Sequence, residues 1–255
     1  MSKLPQEYKF IDVSDYGRKP GRFIAKMLVN TSATPIHVTT SFIVAGLIAI
    51  ACILSGYYYA AAFFIVLKSI LDASDGELSR LKKTPSHTGR YYDSIADLFL
   101  NFLFLSAIAY VTETAFGVML LAFFGIQLQG TIYNFYYVTL RNNVNGDATS
   151  RIFENDTPTA FEGEKQSTVN QMFAVYSAFY GPFDKIIYAL DKQAAYSKPF
   201  PKWFMTLISI YGLGFQLLIM AVFLVLDLPE YIIPILTWYS VLILVFVGIR
   251  KLFLK

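Results

Sequence analysis

The sequence is poor in cysteine, histidine and charged residues, and each shortage excludes a kind of site or partner. Cys52 is the single cysteine, so the chain cannot form an internal disulfide. The two histidines, His37 and His87, lie far apart, and a histidine metal site needs several convergent ligands. Charged residues make up 15% of the chain, against about 25% in a typical soluble domain. The net charge of +3 is too small to predict a nucleic-acid partner.

Apolar and aromatic residues are abundant instead, at 55% and 17% of the chain. Many tyrosines lie near the ends of apolar stretches, as in the aromatic belts of membrane proteins. Stretches of about 20 residues, long enough to cross the hydrocarbon of a bilayer, occur six times. The predicted membrane spans are residues 36–54, 58–81, 90–111, 115–140, 203–226 and 231–252.

Lysine and arginine are distributed unevenly around these spans. The short links SGYY, TETA and DLPE contain neither, whereas all other connecting segments contain them. The positive-inside rule therefore predicts six crossings of the cell membrane, with both termini in the cytoplasm. The expected fold is an all-α polytopic membrane protein with six transmembrane helices and a cytoplasmic active site, built as a single domain over residues 1–255.

Two segments are predicted to lie on the membrane surface. Within the arm formed by residues 1–34, segment 21–30 mixes apolar residues with Arg22 and Lys26, which is typical of a short interfacial amphipathic helix. Residues 141–202 are predicted to be a cytoplasmic loop, and its segment 171–190 to form one or two interfacial helices. A seventh span is the competing interpretation, disfavoured because the Pro, Asp and Lys at 182, 184 and 185 would be costly in hydrocarbon.

Four aspartates are concentrated where the second span leads into the third. Asp72 and Asp75 are three residues apart, and Asp93 and Asp97 are four apart, so each pair shares a helix face. The short link at 82–88 predicts that the two helices are antiparallel neighbours, with the pairs facing each other near the cytoplasmic edge. Four carboxylates repel strongly in a low dielectric unless cations bind them. The pattern predicts a site for Mg²⁺ or Mn²⁺, with two ions that clamp a phosphoryl group.

Interhelical salt bridges are the alternative interpretation of this cluster. They would need cations at matching depth, and only Lys68, Arg80 and Arg90 are near, too few to balance the acids. Lys68 lies one helical turn before Asp72, so it is expected either to pair with Asp72 or to contact the lipid phosphate of a donor.

In these residues the sequence resembles the CDP-alcohol phosphatidyltransferase family, whose signature is D-x2-D-G-x2-A-R-x8/9-G-x3-D-x3-D. Ser79 departs from this pattern by replacing the usual alanine. The run TPIHVT at 34–39 also looks like the family's opening of its first span. The matching positions are Asp72, Asp75, Gly76, Arg80, Gly89, Asp93 and Asp97.

The resemblance implies a role for each matching position. All four aspartates would bind metal, and Asp97 would also act as the general base on the acceptor hydroxyl. The family generally forms homodimers whose sites open to the cytoplasm, and its members belong to the transferases of substituted phosphate groups. The residues expected to line the CDP pocket are Gly76, Ser79, Arg80 and Gly89.

The predicted reaction moves a phosphatidyl or other substituted phosphate group from a CDP-linked donor, CDP-diacylglycerol in the first instance, to an alcohol. CMP is released, and the expected setting is phospholipid biosynthesis in contact with membrane lipids. The alternative is a CDP-linked polar alcohol as donor to a lipid or inositol-phosphate-type acceptor. Contacts to the acceptor or its phosphate could come from Lys68, Asn101, Arg141 and Arg151. A helix-packing role for the asparagine and a solvated-loop role for the last two arginines are competing interpretations.

Two other classes of protein also use acidic clusters in membranes. Aspartate-rich prenyltransferases would need two motifs far apart in sequence, whereas both pairs here fall in one hairpin. A divalent-cation transporter would need acids along a path through the bilayer, and here they cluster near one face. Neither class would release CMP.

Overall fold

The structure is a computed structural model that describes residues 4–146, 154 and 156–254. Regular secondary structure in these residues is helical throughout. Short 3₁₀ turns lie at Gln6–Tyr8, Lys192–Tyr196, Ser209–Tyr211 and Pro229–Tyr231. The α-helices are α1 (Arg18–Leu28), α2 (Pro35–Leu54), α3 (Tyr58–Lys82), α4 (His87–Val111), α5 (Phe116–Asn143), α6 (Gln166–Leu190), α7 (Lys202–Ile208), α8 (Leu213–Val225), α9 (Ile232–Tyr239) and α10 (Leu242–Phe253).

Several helices of the described residues are long and apolar enough to cross a membrane, so by length and composition this is a multi-pass membrane protein. Four such stretches are α2, α4, α5 and Pro229–Phe253, which contains α9 and α10. A fifth is present if Lys202–Tyr211 and Leu213–Val225, bent by 52° at their junction, form one span. Helix α3 is outside this group because charged residues interrupt it, so the count of six spans stays a prediction.

Helix α2 begins with a capping box that explains the TPIHVT run. The side chain of Thr34 accepts a hydrogen bond from the backbone N–H of His37, whose ring in turn accepts from the backbone N–H of Thr34. Pro35 occupies the first helical position, where its missing N–H costs nothing. His37 therefore has a structural role at the start of this helix.

The two predicted surface segments are both helical. Helix α1 packs against α3 and leaves Phe23 and Met27 exposed. Helix α6 is one continuous helix with Pro182 inside it, and it packs against α4 and α5. Their placement on a membrane surface stays a prediction.

The helices that carry the aspartates, α3 and α4, pack mainly against other helices and little against each other. Helix α3 packs mainly against α1, α2 and α8, whereas α4 packs mainly against α2, α5 and α6. The two helices thus share α2 as a common neighbour instead of packing closely along their lengths, and the acidic side chains converge across the space between them.

Buried polar contacts connect the second half of the bundle. Gln129 of α5 donates to the carbonyl of Leu236 at 3.1 Å and to Ser240 Oγ at 2.8 Å. Asp191, after α6, accepts from Arg250 Nε of α10 and from the hydroxyl of Tyr136 of α5, each at 2.6 Å. Tyr136, Asp191 and Arg250 are almost fully buried. Their contacts therefore connect α5, the end of α6 and α10 inside the protein.

Candidate active site

Three of the four signature aspartates converge on one point. Carboxylate oxygens of Asp72, Asp75 and Asp93 lie within 4.8 Å of one another. Thr39 of α2 donates its hydroxyl to Asp75 Oδ2 at 2.6 Å, which orients that carboxylate. One oxygen of Asp93, Oδ1, is buried and has no hydrogen-bond partner within the described residues. Acidic side chains from both α3 and α4 therefore meet at this point.

Asp97 is separate from this group. It accepts a hydrogen bond from Lys68 Nζ, which also donates to Asp72 Oδ2 at 3.1 Å. Lys68 is 1% exposed and its ammonium lies 4.6 Å from the ring centre of Phe42. The buried lysine thus bridges the fourth aspartate to the cluster of the other three. Of the two roles expected for Lys68, pairing with Asp72 is the one present in the structure.

A divalent cation suits the cluster of Asp72, Asp75 and Asp93. A buried carboxylate oxygen without a donor is costly, and the unpartnered Oδ1 of Asp93 is such an atom. Carboxylate oxygens are the ligands that Mg²⁺ and Mn²⁺ prefer. The three acids therefore fit a hard divalent ion.

Two cavities border the acidic cluster and share the residues between them. The larger has a volume of about 1310 Å³, and all four positions expected to line a CDP pocket lie on its wall. The smaller, of about 220 Å³, lies between α1 and α3 and is polar. Residues that line both cavities are Asp75, Gly76, Arg80 and Asp93.

The residues on the wall of the larger cavity also have local structural roles. Ser79 donates its hydroxyl to the carbonyl of Thr84 at 2.9 Å, so this departure from the family's alanine stabilises the end of α3. Ser86 caps α4 by accepting from Gly89 N at 2.8 Å. A Cβ on Gly76 would lie 3.5 Å from the guanidinium of Arg80, an ordinary van der Waals contact, so Gly76 lies directly beside this group.

The carboxylate of Glu77 contacts arginines of α1 and α3 beside this cavity. Its carboxylate accepts from Arg80 Nη2 at 3.0 Å and from Arg22 Nε of α1 at 3.3 Å. Arg18 Nε lies 4.0 Å from the same carboxylate and 2.5 Å from Asp15. Glu77 therefore fixes the position of the signature arginine and connects it to α1.

Glu164 attaches the segment before α6 to the start of α4. Its carboxylate accepts from Ser86 Oγ at 2.8 Å, His87 N at 3.1 Å and Thr88 N at 2.8 Å. Partial burial acts to raise the pKa of Glu164, but the hydrogen bonds, led by that from the Thr88 backbone, outweigh it and lower the pKa to about 2. Phe161 stacks on His87 with 4.4 Å between ring centres, and both rings line the larger cavity.

The possible acceptor contacts are dispersed. Arg141 is buried at the end of α5 and lines the larger cavity, while Asn101 is buried within α4 and lines neither cavity. Lys68 belongs to the bridge between aspartates. Arg151 lies outside the described residues.

The sequence patterns did not predict a role in the site for four residues: Thr39, Glu77, Glu164 and Arg18. Thr39 lies in the TPIHVT run, which was noted without a role for its hydroxyl. Glu77 stands inside the signature at a variable position. The other two come from segments whose contacts depend on tertiary packing, so no local pattern marks them.

Comparison with known proteins agrees with this geometry. Residues 33–196, more than half of the chain, match the model of the CDP-alcohol phosphatidyltransferase family. The chain belongs to this family, and the resemblance seen in the aspartate signature is confirmed. A stretch of 109 residues is 37% identical to the bifunctional IPC transferase and DIPP synthase of Archaeoglobus fulgidus. That stretch covers 42% of this chain and 22% of the relative, so the chain spans less than a quarter of that protein.

Proposed function

We propose that this protein transfers a phosphatidyl group from CDP-diacylglycerol to the hydroxyl of an alcohol and releases CMP. The observation that carries the proposal is the convergence of Asp72, Asp75 and Asp93 beside the larger cavity, whose wall includes the signature residues Gly76 and Arg80. An acidic cluster next to a space lined by a guanidinium suits a substrate whose diphosphate is bound through divalent ions.

The proposed step forms one bond and breaks another at phosphorus. The acceptor oxygen attacks the phosphorus that bears the lipid, and the bond from this phosphorus to the oxygen of CMP breaks. Mg²⁺ or Mn²⁺ held by the aspartates would neutralise the diphosphate charge and orient the reacting phosphorus. Arg80 would donate to a phosphate oxygen in the planar geometry of its guanidinium.

Asp97 is the proposed general base, which takes the proton of the acceptor hydroxyl. Its carboxylate accepts from Lys68, a contact that fixes its orientation beside the cluster. A base must lie within hydrogen-bond reach of the proton it abstracts. Asp97 lies close to the proposed metal site, because Lys68 donates to both Asp97 and Asp72. In this proposal Asp97 is also a ligand of a second divalent ion.

The membrane arrangement belongs to the same proposal. Six crossings would place the acidic cluster at the cytoplasmic face of the cell membrane, with both termini in the cytoplasm. This requires α3 to cross with its charged half near the surface, where Lys68 is neutralised by its carboxylate partners. A homodimer is the expected assembly, as in the family generally.

An assay of the lipid product tests the proposal. Membranes that contain the protein are incubated with CDP-diacylglycerol, Mg²⁺ and a panel of polyols, amino alcohols and phosphorylated sugars, and new lipids are identified by mass spectrometry. We expect a new phospholipid with at least one acceptor. A new product only when the polar alcohol carries the CDP would indicate the reverse arrangement of donor and acceptor.

Asp97→Asn tests the role of the base. Asparagine keeps the shape of the side chain but cannot take the proton, so we expect turnover to fall by about 10²-fold or more. Asp227→Asn is the control, because Asp227 is exposed and distant in sequence from the site. Normal CMP release by purified Asp97→Asn in the presence of acceptor would contradict the assignment.

A further inference from the structure

We propose that Arg18 of α1 binds the diphosphate of the CDP-linked donor, so that the N-terminal helix forms part of the donor site. This inference rests on the proposed function and deepens it. It concerns a residue outside the region matched by the family model, residues 33–196. The signature alone therefore assigns Arg18 no role.

Arg18 lies on the wall of the smaller cavity together with the acids. This wall contains Asp15, Asp72, Asp75 and Asp93 together with Arg18 and Arg80. A phosphate that shares divalent ions with these carboxylates would meet both arginines. Arginine suits this role because its planar group of N–H donors matches the oxygens of a phosphate.

The position of α1 is fixed by close contact with α3. A Cβ on Gly17 would lie 2.8 Å from the carbonyl oxygen of Ser69, and one on Gly21 would lie 3.0 Å from that of Ile70. Gly17, directly before α1, and Gly21 lie on the same side of this helix, because residues four apart share a face. Arg18 directly follows the first of these contacts, so its backbone is held at the edge of the cavity.

The arginines at this edge are partly paired with carboxylates. Three guanidinium groups, those of Arg18, Arg22 and Arg80, surround Glu77. Asp15 also pairs with Arg18, at 2.5 Å. The acids on the wall of the smaller cavity outnumber its arginines, so an anion would bind there together with divalent cations, and the test below includes Mn²⁺.

Arg22 provides a matched control for Arg18. It lies one turn further along the same helix and contacts the same glutamate, yet it lines neither cavity. A substitution at either arginine weakens the link between α1 and Glu77. Only a substitution of Arg18 removes a group from the wall of the smaller cavity.

The test is the affinity of the purified full-length protein for CDP, measured by calorimetry with Mn²⁺ present. We expect Arg18→Gln to weaken CDP binding by about 10- to 100-fold, the effect of one charge-assisted hydrogen bond. The Arg22→Gln protein should bind CDP within about twofold of the unaltered protein, since an exposed ion pair contributes little. Cytidine, which has no phosphate, should bind all three proteins alike. Thermal unfolding of each protein verifies that it is folded.

Three outcomes would overturn the inference or its basis. Equal losses of CDP affinity in Arg18→Gln and Arg22→Gln would mean that Arg18 acts only by attaching α1. A rise in the acceptor KM of Arg18→Gln with unchanged CDP affinity would assign the arginine to an acceptor phosphate. Failure of the unaltered protein to bind CDP with Mn²⁺ would instead contradict the proposed function itself.

Discussion

Asp93→Asn should have opposite effects on stability with and without divalent ions. The carboxylate of Asp93 lies within 4.8 Å of those of Asp72 and Asp75, and its Oδ1 has no hydrogen-bond partner in the described residues. Two unit charges 4.8 Å apart repel by about 3.5 kcal/mol at an effective dielectric constant of about 20. Asp93 takes part in two such pairs.

Without divalent ions, the amide removes both repulsions. Solvent and the ammonium of Lys68, which donates to Asp72, already reduce the repulsion in the unaltered protein, so we expect a gain of about 1–3 kcal/mol in the free energy of unfolding. In a chain of this size, each kcal/mol corresponds to about 2–4 °C in Tm. The variant should therefore unfold several degrees above the unaltered protein in EDTA.

With divalent ions the order should reverse. An ion at about 100 times its Kd stabilises the folded state by about 2.7 kcal/mol, which corresponds to a rise in Tm of about 5–10 °C. The variant lacks one ligand and should show little of this rise. Asp227→Asn is the control, since this exposed aspartate has φ of 58° and asparagine tolerates that conformation.

The assay is thermal unfolding in detergent, followed by tryptophan fluorescence across a titration of Mn²⁺. A Tm of the unaltered protein that does not respond to Mn²⁺ would refute the metal site. A lower Tm of Asp93→Asn in EDTA would refute the description of its carboxylate as repelled and unpartnered.

Two further substitutions test structural parts of the site and the bundle. Asp191→Ala leaves Arg250 buried without its carboxylate, so we expect a loss of about 3–5 kcal/mol in the free energy of unfolding. Combining Asp191→Ala with Arg250→Met removes the unpaired charge and should recover part of this loss. No recovery in the double variant would contradict this reasoning. Glu164→Gln weakens the contacts that hold α4. Because its pKa falls from an ordinary 4.5 to about 2, Glu164 stabilises the fold above pH 4.5 by about 1 kcal/mol after solvent screening, and this contribution is lost as the pH falls towards 2. The Tm difference between Glu164→Gln and the unaltered protein should thus be constant from pH 6 to 8 and shrink below about pH 4.5; a difference that grows in acid would contradict it.

The sequence predicted the helices and the acidic cluster because both depend on local patterns. Apolar length placed most of the helices, although the predicted spans 203–226 and 231–252 are each divided into two helices. Spacing by three residues placed Asp72 with Asp75 on one helix face. The convergence of Asp93 with these two followed from the short link between α3 and α4. These features need no knowledge of distant contacts.

Other parts of the site depend on packing that a local pattern does not encode. Asp97 shares a helix face with Asp93, yet it lies outside the group of three and is connected to it through the buried ammonium of Lys68. Arg18 reaches the smaller cavity because Gly17 and Gly21 let α1 approach α3 closely. A short basic segment was expected to lie on the membrane surface, and only the contact between the two helices shows its proximity to the acids.

The most direct measurement is CMP release by the purified protein from CDP-diacylglycerol in the presence of an accepted alcohol. We expect release that requires Mg²⁺ or Mn²⁺, stops on chelation and is lost in Asp93→Asn. Release that continues unchanged after chelation, or in Asp93→Asn, would contradict the central claim that three convergent carboxylates hold the ions that act on the donor diphosphate.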